Sequence, residues 1–264
     1  MTEETTGNEQ VAPATPEPEP EPVQLPPAGP GISACAAMAG VFMSPRETLP
    51  RIVEKRWPFA LVPIILVAVL SLAGSWIFTS KVDMAQFVRD QIKQSKFASQ
   101  MSESQIEEAA DRAAQRPKWI QPVIGVFVVP LITVILAAIF WLVLLAFGNE
   151  ITFGRSFQAT AWAFLPSLIT GVIFLVLLFV KDANAIDVQN PIATNLAAIL
   201  GRDSMPKPLY VLLAGVDVFK IWIIALLGIG LAAAGRCRIR TAVLSVTVLY
   251  AVWIALRMGL AAIF

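Results

Sequence analysis

Five apolar segments dominate the pattern of the chain, each at least 23 residues long and nearly free of charge. A helix of about 20 residues crosses the hydrocarbon core of a bilayer, so each segment is long enough to span it. Lipid cannot bond to exposed backbone, and continuous apolar runs therefore favour helices over the alternating strands of a barrel. The pattern predicts an all-α, polytopic membrane protein with five transmembrane helices: 57–79, 122–147, 158–180, 210–234 and 241–263.

The chain before the first span divides into a tail and a short apolar region. Residues 1–31 are rich in Glu and Pro, have no Lys or Arg, and offer little apolar surface to bury. Such a composition predicts disorder, with an extended Glu-Pro run that either tethers the chain or binds a partner. Residues 32–43 are apolar but too short to span, which favours a helix at the membrane interface.

A helix start follows at once. Ser44, Pro45 and Glu47 have the spacing of a capping box with proline at the first helical position. Pro50 falls at the sixth position of that helix, where it removes a hydrogen bond and predicts a kink or an early stop. We therefore assign residues 32–56 to juxtamembrane helices and residues 57–264 to a five-helix transmembrane domain.

The longest polar loop, residues 80–118, is predicted to contain two short helices. Residues 102–105 read Ser-Glu-Ser-Gln, which is a second capping signature and separates the two helices. Met84, Phe87 and Val88 belong to a helical stripe that can rest on the membrane or on neighbouring loops.

Basic residues predict the orientation in the membrane, because Lys and Arg beside spans favour the cytoplasmic side. One basic cluster, residues 51–56, directly precedes the first span, and another, residues 236–240, forms the turn between the last two spans. Both lie on the same side if the N-terminus is cytoplasmic. We expect a cytoplasmic N-terminus and an exterior or lumenal C-terminus.

The amino-acid composition argues against several classes of enzyme and binding protein. The chain has no histidine, which removes His-based acid–base and nucleophile chemistry and nearly every ordinary zinc site. Its net charge is +1 with no basic face, so no nucleic-acid partner is expected. Cys35 and Cys237 both fall on the predicted cytoplasmic side and are interpreted as free thiols. We expect a non-enzymatic protein without a cofactor or metal, and the sequence leaves open whether it forms a homo-oligomer.

Three ionisable residues, Asp217, Lys220 and Arg257, lie within predicted spans. Each costs about 2.5–3.5 kcal/mol at the bilayer centre, so such residues often mark sites. Asp217 and Lys220 are three residues apart on one helical face, while Asp217 and Arg257 each lie 20 residues from Cys237 in the turn. We predict a cluster of the three between the last two helices; alternatively, each cation reaches the interface separately.

Small residues in the fourth span indicate close helix packing. Gly228 and Ala232, like Gly230 and Ala234, are four residues apart, which is the spacing that lets two helix backbones approach in a membrane.

Several short motifs occur in an order that resembles the Yip1 domain family, whose bacterial members carry a Ser-Pro-Arg-Glu-Thr signature shortly before the first span. The matching pieces are Ser44-Pro45-Arg46-Glu47-Thr48 with Arg51-Ile52, then Gly154, Ser156-Phe157, Ala161 and Pro166, then Asn190-Pro191, and finally Asp217, Phe219 and Trp222. The chain departs from the family pattern at Pro50 and Lys220.

The resemblance implies a membrane-trafficking type of protein with a cytoplasmic N-terminus and no catalytic residues. Some eukaryotic relatives are linked to small GTPases of the Rab type. We therefore expect a scaffold that recruits protein partners through its N-terminal tail and residues 44–56. The alternative is a small-solute or ion transporter that uses Asp217, Lys220 and Arg257.

Overall fold

A computed structural model of the protein describes residues 31–95, 100–183, 186, 191–200 and 205–263. Residues 1–30 of the predicted tail lie outside the described residues. All regular elements within the described residues are helical, which confirms the predicted all-α class.

The described residues form twelve α-helices and one 3-10 turn. They are α1 (Ala34–Met43), α2 (Pro45–Val53), a 3-10 turn (Trp57–Ala60) that leads into α3 (Leu61–Lys81), α4 (Met84–Gln94), α5 (Glu103–Gln115), α6 (Ile120–Ala146), α7 (Phe153–Ala163), α8 (Ser167–Val180), α9 (Leu196–Leu200), α10 (Lys207–Gly215), α11 (Val218–Ala234) and α12 (Ile239–Ile263).

Four helical stretches among the described residues are long and apolar enough to cross a membrane, whereas the sequence predicted five. They are Trp57–Lys81, Ile120–Ala146, Phe153–Val180 and Ile239–Ala262. The predicted fourth span, 210–234, is not one helix, because two extended residues separate α10 from α11. Hydropathy does not reveal such a break, since Val216 and Gly215 are as compatible with an apolar run as with a turn.

The outer faces of these helices are apolar and unpacked. Between 17% and 28% of each span's most apolar window is buried inside the protein, as expected for helices that face lipid. Trp57 and Trp76 stand exposed 19 residues apart on the first span, with 58% and 52% of their surface accessible. A helix rises about 28 Å over that distance, close to the ~30 Å of a bilayer core, so the two rings mark its two interfaces.

Contacts define two ends of the helix bundle. At the end that carries the helical hairpin formed by α1 and α2, called the hairpin end, Glu54 pairs with Arg155 at 2.8 Å, and Gly235 of the last turn adjoins Leu144 and Asn149. This end therefore carries α2 and the turns before α7 and α12. At the loop end, Thr79 bonds to the carbonyl of Lys118, and the α4–α5 pair connects α3 to α6.

The core lies where α7 and α11 meet the hairpin end. Trp162 is fully buried, stacks on Phe59 with 4.9 Å between ring centroids, and donates to its carbonyl at 3.2 Å. Gln158, also fully buried, donates to the carbonyl of Arg56 at 2.6 Å. The Ser156 hydroxyl donates to the carbonyl of Ala137 on α6 at 2.7 Å. The bonds of Trp162 and Gln158 fix the entry of α3 against α7, and the bond of Ser156 joins α7 to α6.

Glycine permits the close approach of α11 to its two neighbours, as the small-residue spacing predicted. A Cβ added to Gly228 would lie 2.2 Å from Cγ2 of Val243 on α12 and 3.2 Å from its Cα. A Cβ added to Gly230 would lie 3.1 Å from Cβ of Ala159 on α7. α11 is therefore held between α12 and α7 with no room for larger side chains.

The two helices predicted in the polar loop are present. The Ser102 hydroxyl accepts from the Gln105 amide and the Gln105 side chain accepts from the Ser102 amide, which completes the expected capping box of α5. Arg89 on α4 and Glu107 on α5 are paired through two hydrogen bonds. These bonds to Arg89 lower the pKa of the Glu107 carboxyl below its ordinary value.

Replacing Gly228 with Ala should destabilise the fold, because the new methyl group meets both the side chain and the backbone of Val243. Overpacking of this kind costs about 1–3 kcal/mol. Gly125→Ala on α6 is the matched control, since nothing lies within 4 Å of its added Cβ and the helix gains propensity. Thermal unfolding in detergent should show a loss for Gly228→Ala alone. Equal midpoints for the two variants would contradict the packing.

Candidate functional site

The helix break between α10 and α11 carries two charged residues, Asp217 and Lys220, within an otherwise apolar stretch of the chain. Val216 and Asp217 are extended, with ψ of 91° and 140°. The Asp217 carboxylate accepts from the amides of Phe219 at 2.9 Å and Lys220 at 3.1 Å. Asp is a favoured N-cap because its oxygens satisfy amides that have no partner in the first turn. Asp217 is therefore the N-cap of α11, which begins as a separate helix after the break.

A segment from the loop after α8 fills the break. The Leu196 amide donates to the carbonyl of Val216 at 3.2 Å, and the Val218 amide donates to that of Thr194 at 3.4 Å. The Thr194 hydroxyl also donates to the second carboxylate oxygen of Asp217. Asn195 then caps the short α9 by accepting from the Ala198 amide. The loop thus supplies backbone partners that a continuous helix would not need.

Two side chains satisfy carbonyls at the end of α10. The Lys220 ammonium donates to the carbonyl of Ala214 at 2.8 Å, and the Tyr250 hydroxyl donates to that of Gly215 at 2.8 Å. Unbonded backbone groups cost several kcal/mol each in lipid, so a break inside a span requires such partners.

The position of Tyr250 places the break beside the middle of α12, which is one of the four helices long enough to cross a membrane. Tyr250 lies 11 residues after Ile239 and 13 before Ile263, the two ends of α12. Since α10 and α11 both pack along α12, the interruption lies near half its length. A break at this depth is a feature of discontinuous membrane helices.

The three ionisable residues lie near one another, and the charges of Asp217 and Arg257 both act on Lys220. Asp217 makes no ion pair with Lys220 or Arg257 within the described structure, because its oxygens serve amides and Thr194. Arg257 is exposed, and no hydrogen bond reaches it in the same part of the chain. Gly215 packs beside Ile254, so the extended residues shift the register and Arg257 lies farther from the turn than Asp217. Their action as one site stays a prediction.

The second feature is the α1–α2 helical hairpin at the other side of α11. The helices touch at Gly40, where an added Cβ would lie 2.3 Å from the Thr48 hydroxyl. The hairpin reaches along α11 as far as Trp222, whose ring meets that of Phe42 edge-on with 5.5 Å between centroids. Its inner face packs against α7 and α11. This face consists of Thr48, Leu49, Pro50, Ile52 and Val53, all buried.

The hairpin's start differs from the predicted capping box. The Ser44 side chain makes no cap bond; instead its carbonyl accepts from the amides of Glu47 and Thr48. Pro50 does not stop α2, which continues to Val53. Arg46 and Glu47 remain exposed on the outer face, beside a groove of about 410 Å³ that extends to Gly31.

The model of one protein family, the Yip1 domain, matches residues 39–263. The chain belongs to the Yip1 domain family. Searches of curated proteins and of solved structures found no match.

The family motifs meet around α11. The signature residues Ser44, Pro45, Arg46 and Glu47 form the tip and first turn of α2, and Trp222 receives Phe42 of the adjoining helix. Pro191 begins the described part of the loop that fills the break, while Asn190 lies outside the described residues. Phe219 supplies one of the two amides bound by Asp217. Yip1-family residues distant in sequence thus support one helix.

Sequence reasoning missed Thr194, Tyr250 and Gln158. A signal for the break did exist, because Asp is a favoured N-cap residue and Gly215 precedes it by two positions. No local pattern marked Thr194 or Tyr250, since both act on residues more than 20 positions away.

Asp217→Ala should lower the free energy of unfolding by about 1–2 kcal/mol, because it removes the cap of α11. Asp217→Asn should lose less, since an amide oxygen can still accept from the same amides. Asp90→Ala on exposed α4 serves as the control. Chemical unfolding in detergent measures all three, and similar values for Asp217→Ala and Asp90→Ala would refute the role of the cap.

Proposed function

We propose that this Yip1-family protein is a non-enzymatic membrane-organising scaffold whose N-terminal segment recruits partner proteins. The segment comprises the acidic, proline-rich tail and the α1–α2 helical hairpin. The oriented surface of the hairpin is the observation that carries this proposal.

The hairpin has a structural face and a free face. Its apolar residues are buried against α7 and α11, and Glu54 is tied to Arg155 at 2.8 Å. Arg46 and Glu47 project on the opposite side, where Met43 is also 84% exposed. Such a mixture of charge and accessible apolar surface on a rigidly held element suits a protein partner better than a solvated tether.

The groove along the hairpin supports the same proposal. Ser44, Glu47 and Thr48 line it on one helix, while Gly40 and Ser33 line it on the other. The groove extends to Gly31, the residue that joins the hairpin to the tail. A partner bound there would contact both parts of the N-terminal segment.

The proposed orientation places the hairpin end in the cytoplasm. Basic residues concentrate at this end, as expected for segments that remain on the cytoplasmic side. They are Arg51, Lys55, Arg56, Arg155, Arg236, Arg238 and Arg240. The exterior or lumenal side would then receive α4, α5 and the C-terminus.

Site-specific photocrosslinking in intact membranes tests recruitment. A photoreactive residue at Arg46 should give discrete protein adducts, whereas one at Arg240, exposed at the same end on α12, should give none of them. Glu47→Lys should weaken the Arg46 adducts, because it reverses a charge beside the groove. Identical adducts from both positions, or no adduct from Arg46, would contradict the proposal.

A solute or ion transporter is the second candidate, favoured by the helix break near the middle of the membrane. In that case Asp217→Asn should abolish solute flux in proteoliposomes while the fold persists. In the scaffold, the same variant should leave the Arg46 adducts intact. The two assays on one variant therefore distinguish the candidates.

A further inference from the structure

A cavity of about 760 Å³ lies at the loop end, between α3, α6 and α8 and beneath the α4–α5 pair. Its size falls within the range of small-molecule sites, about 300–1,000 Å³. It lies at the opposite end from the α1–α2 hairpin, and the proposed scaffold function makes no use of it.

The cavity extends from the interface to the middle of the bilayer. Its walls include Val67 on α3, nine residues before the exposed Trp76. Nine residues of helix rise about 13 Å, close to half of a bilayer core. At the other end, Arg116 and Lys118 line the opening beside Trp119, a second exposed ring at headgroup level.

The lining changes character with depth. Leu70 and Phe174 supply apolar surface in the deeper half, where Gly171 of α8 packs closely against Leu70 of α3. Ser75, next to Trp76 in sequence, also lines the cavity, and within the described structure its hydroxyl has no hydrogen-bond partner. A free hydroxyl at that level can bond to an ester or phosphate oxygen.

Positive charge is available at the opening. Neither Arg116 nor Lys118 forms an ion pair in the part of the chain that the structure describes. One acid, Asp83, also lines the cavity, and it uses one carboxylate oxygen to cap α4 at the amides of Ala85 and Gln86, so the two cations outnumber it. Two basic groups at headgroup level attract anionic lipid.

We propose that this cavity binds one anionic phospholipid from the leaflet at the loop end. The phosphate lies between Arg116 and Lys118, the ester region meets Ser75, and an acyl chain extends past Leu70 toward Val67. An apolar solute alone would leave the opening cations without a partner, and a soluble anion would leave the apolar depth empty.

Native mass spectrometry tests the site with the full chain in micelles containing phosphatidylglycerol or phosphatidylcholine. The wild-type protein should retain one phosphatidylglycerol and little phosphatidylcholine. Arg116→Gln with Lys118→Gln should reduce retention about thirtyfold, the loss expected for two basic residues near a membrane surface. Arg112→Gln with Lys181→Gln removes the same charge from the same end outside the cavity and should change nothing.

A second pair of variants tests independently whether the lipid occupies the cavity itself. Ser75→Leu should exclude the acyl chain and the headgroup contact, whereas Ser80→Leu, on the exposed face of the same helix, should retain the lipid. Thermal unfolding establishes whether each variant is folded. If Ser75→Leu does not fold, the Arg116/Lys118 variant alone tests the proposal. Equal retention of both lipids, or unchanged retention in a folded Ser75→Leu or in the Arg116/Lys118 pair, would overturn the proposal.

Discussion

The need to satisfy backbone hydrogen bonds inside a membrane governs the structure around α11. The break between α10 and α11 lies beside the middle of the crossing helix α12 and frees amides and carbonyls that lipid cannot bond. Asp217 takes two of the amides, while Lys220 and Tyr250 take two of the carbonyls. The loop at 194–196 pairs with the extended residues themselves. The break therefore brings three separate parts of the chain into contact: the α10–α11 stretch, the loop at 194–196 and α12.

The position of α11 then determines the rest of the hairpin end. Gly228 and Gly230 let α12 and α7 approach α11 closely, and the ring of Trp222 packs edge-on with that of Phe42 in the hairpin. The signature residues of the Yip1 family are divided by this arrangement. Thr48 and Ile52 face the core, whereas Arg46 and Glu47 do not. The same short motif thus anchors the hairpin and leaves a charged surface available to a partner.

Sequence patterns predicted the structure correctly where it depends on residues close together in the chain. The Ser102–Gln105 capping box and the four-residue spacing of Gly228 and Ala232 each act within one turn or one helix face, and both predictions are confirmed. The family resemblance also held, since it depends on the order of motifs along the chain.

The sequence failed where the decision depends on distant partners. The fourth span was predicted as one helix because hydropathy averages over the break. An apolar run can be interrupted when a loop 23 residues away, here at Thr194, replaces the lost bonds. The predicted Asp217–Lys220 pair assumed a continuous helix. Once Asp217 caps the new helix, Lys220 bonds instead to a carbonyl of the preceding one.

Hydrogen exchange of the protein in lipid nanodiscs tests the interdependence of these parts most directly. In the wild-type chain, the amides at 194–196 and 216–220 should be as protected as those in the middle of α11. Asp217→Ala should release both segments together and leave 228–234 protected. Release confined to the two amides that Asp217 bonds, or no change in exchange, would contradict the account that the break, the loop and the cap form one unit.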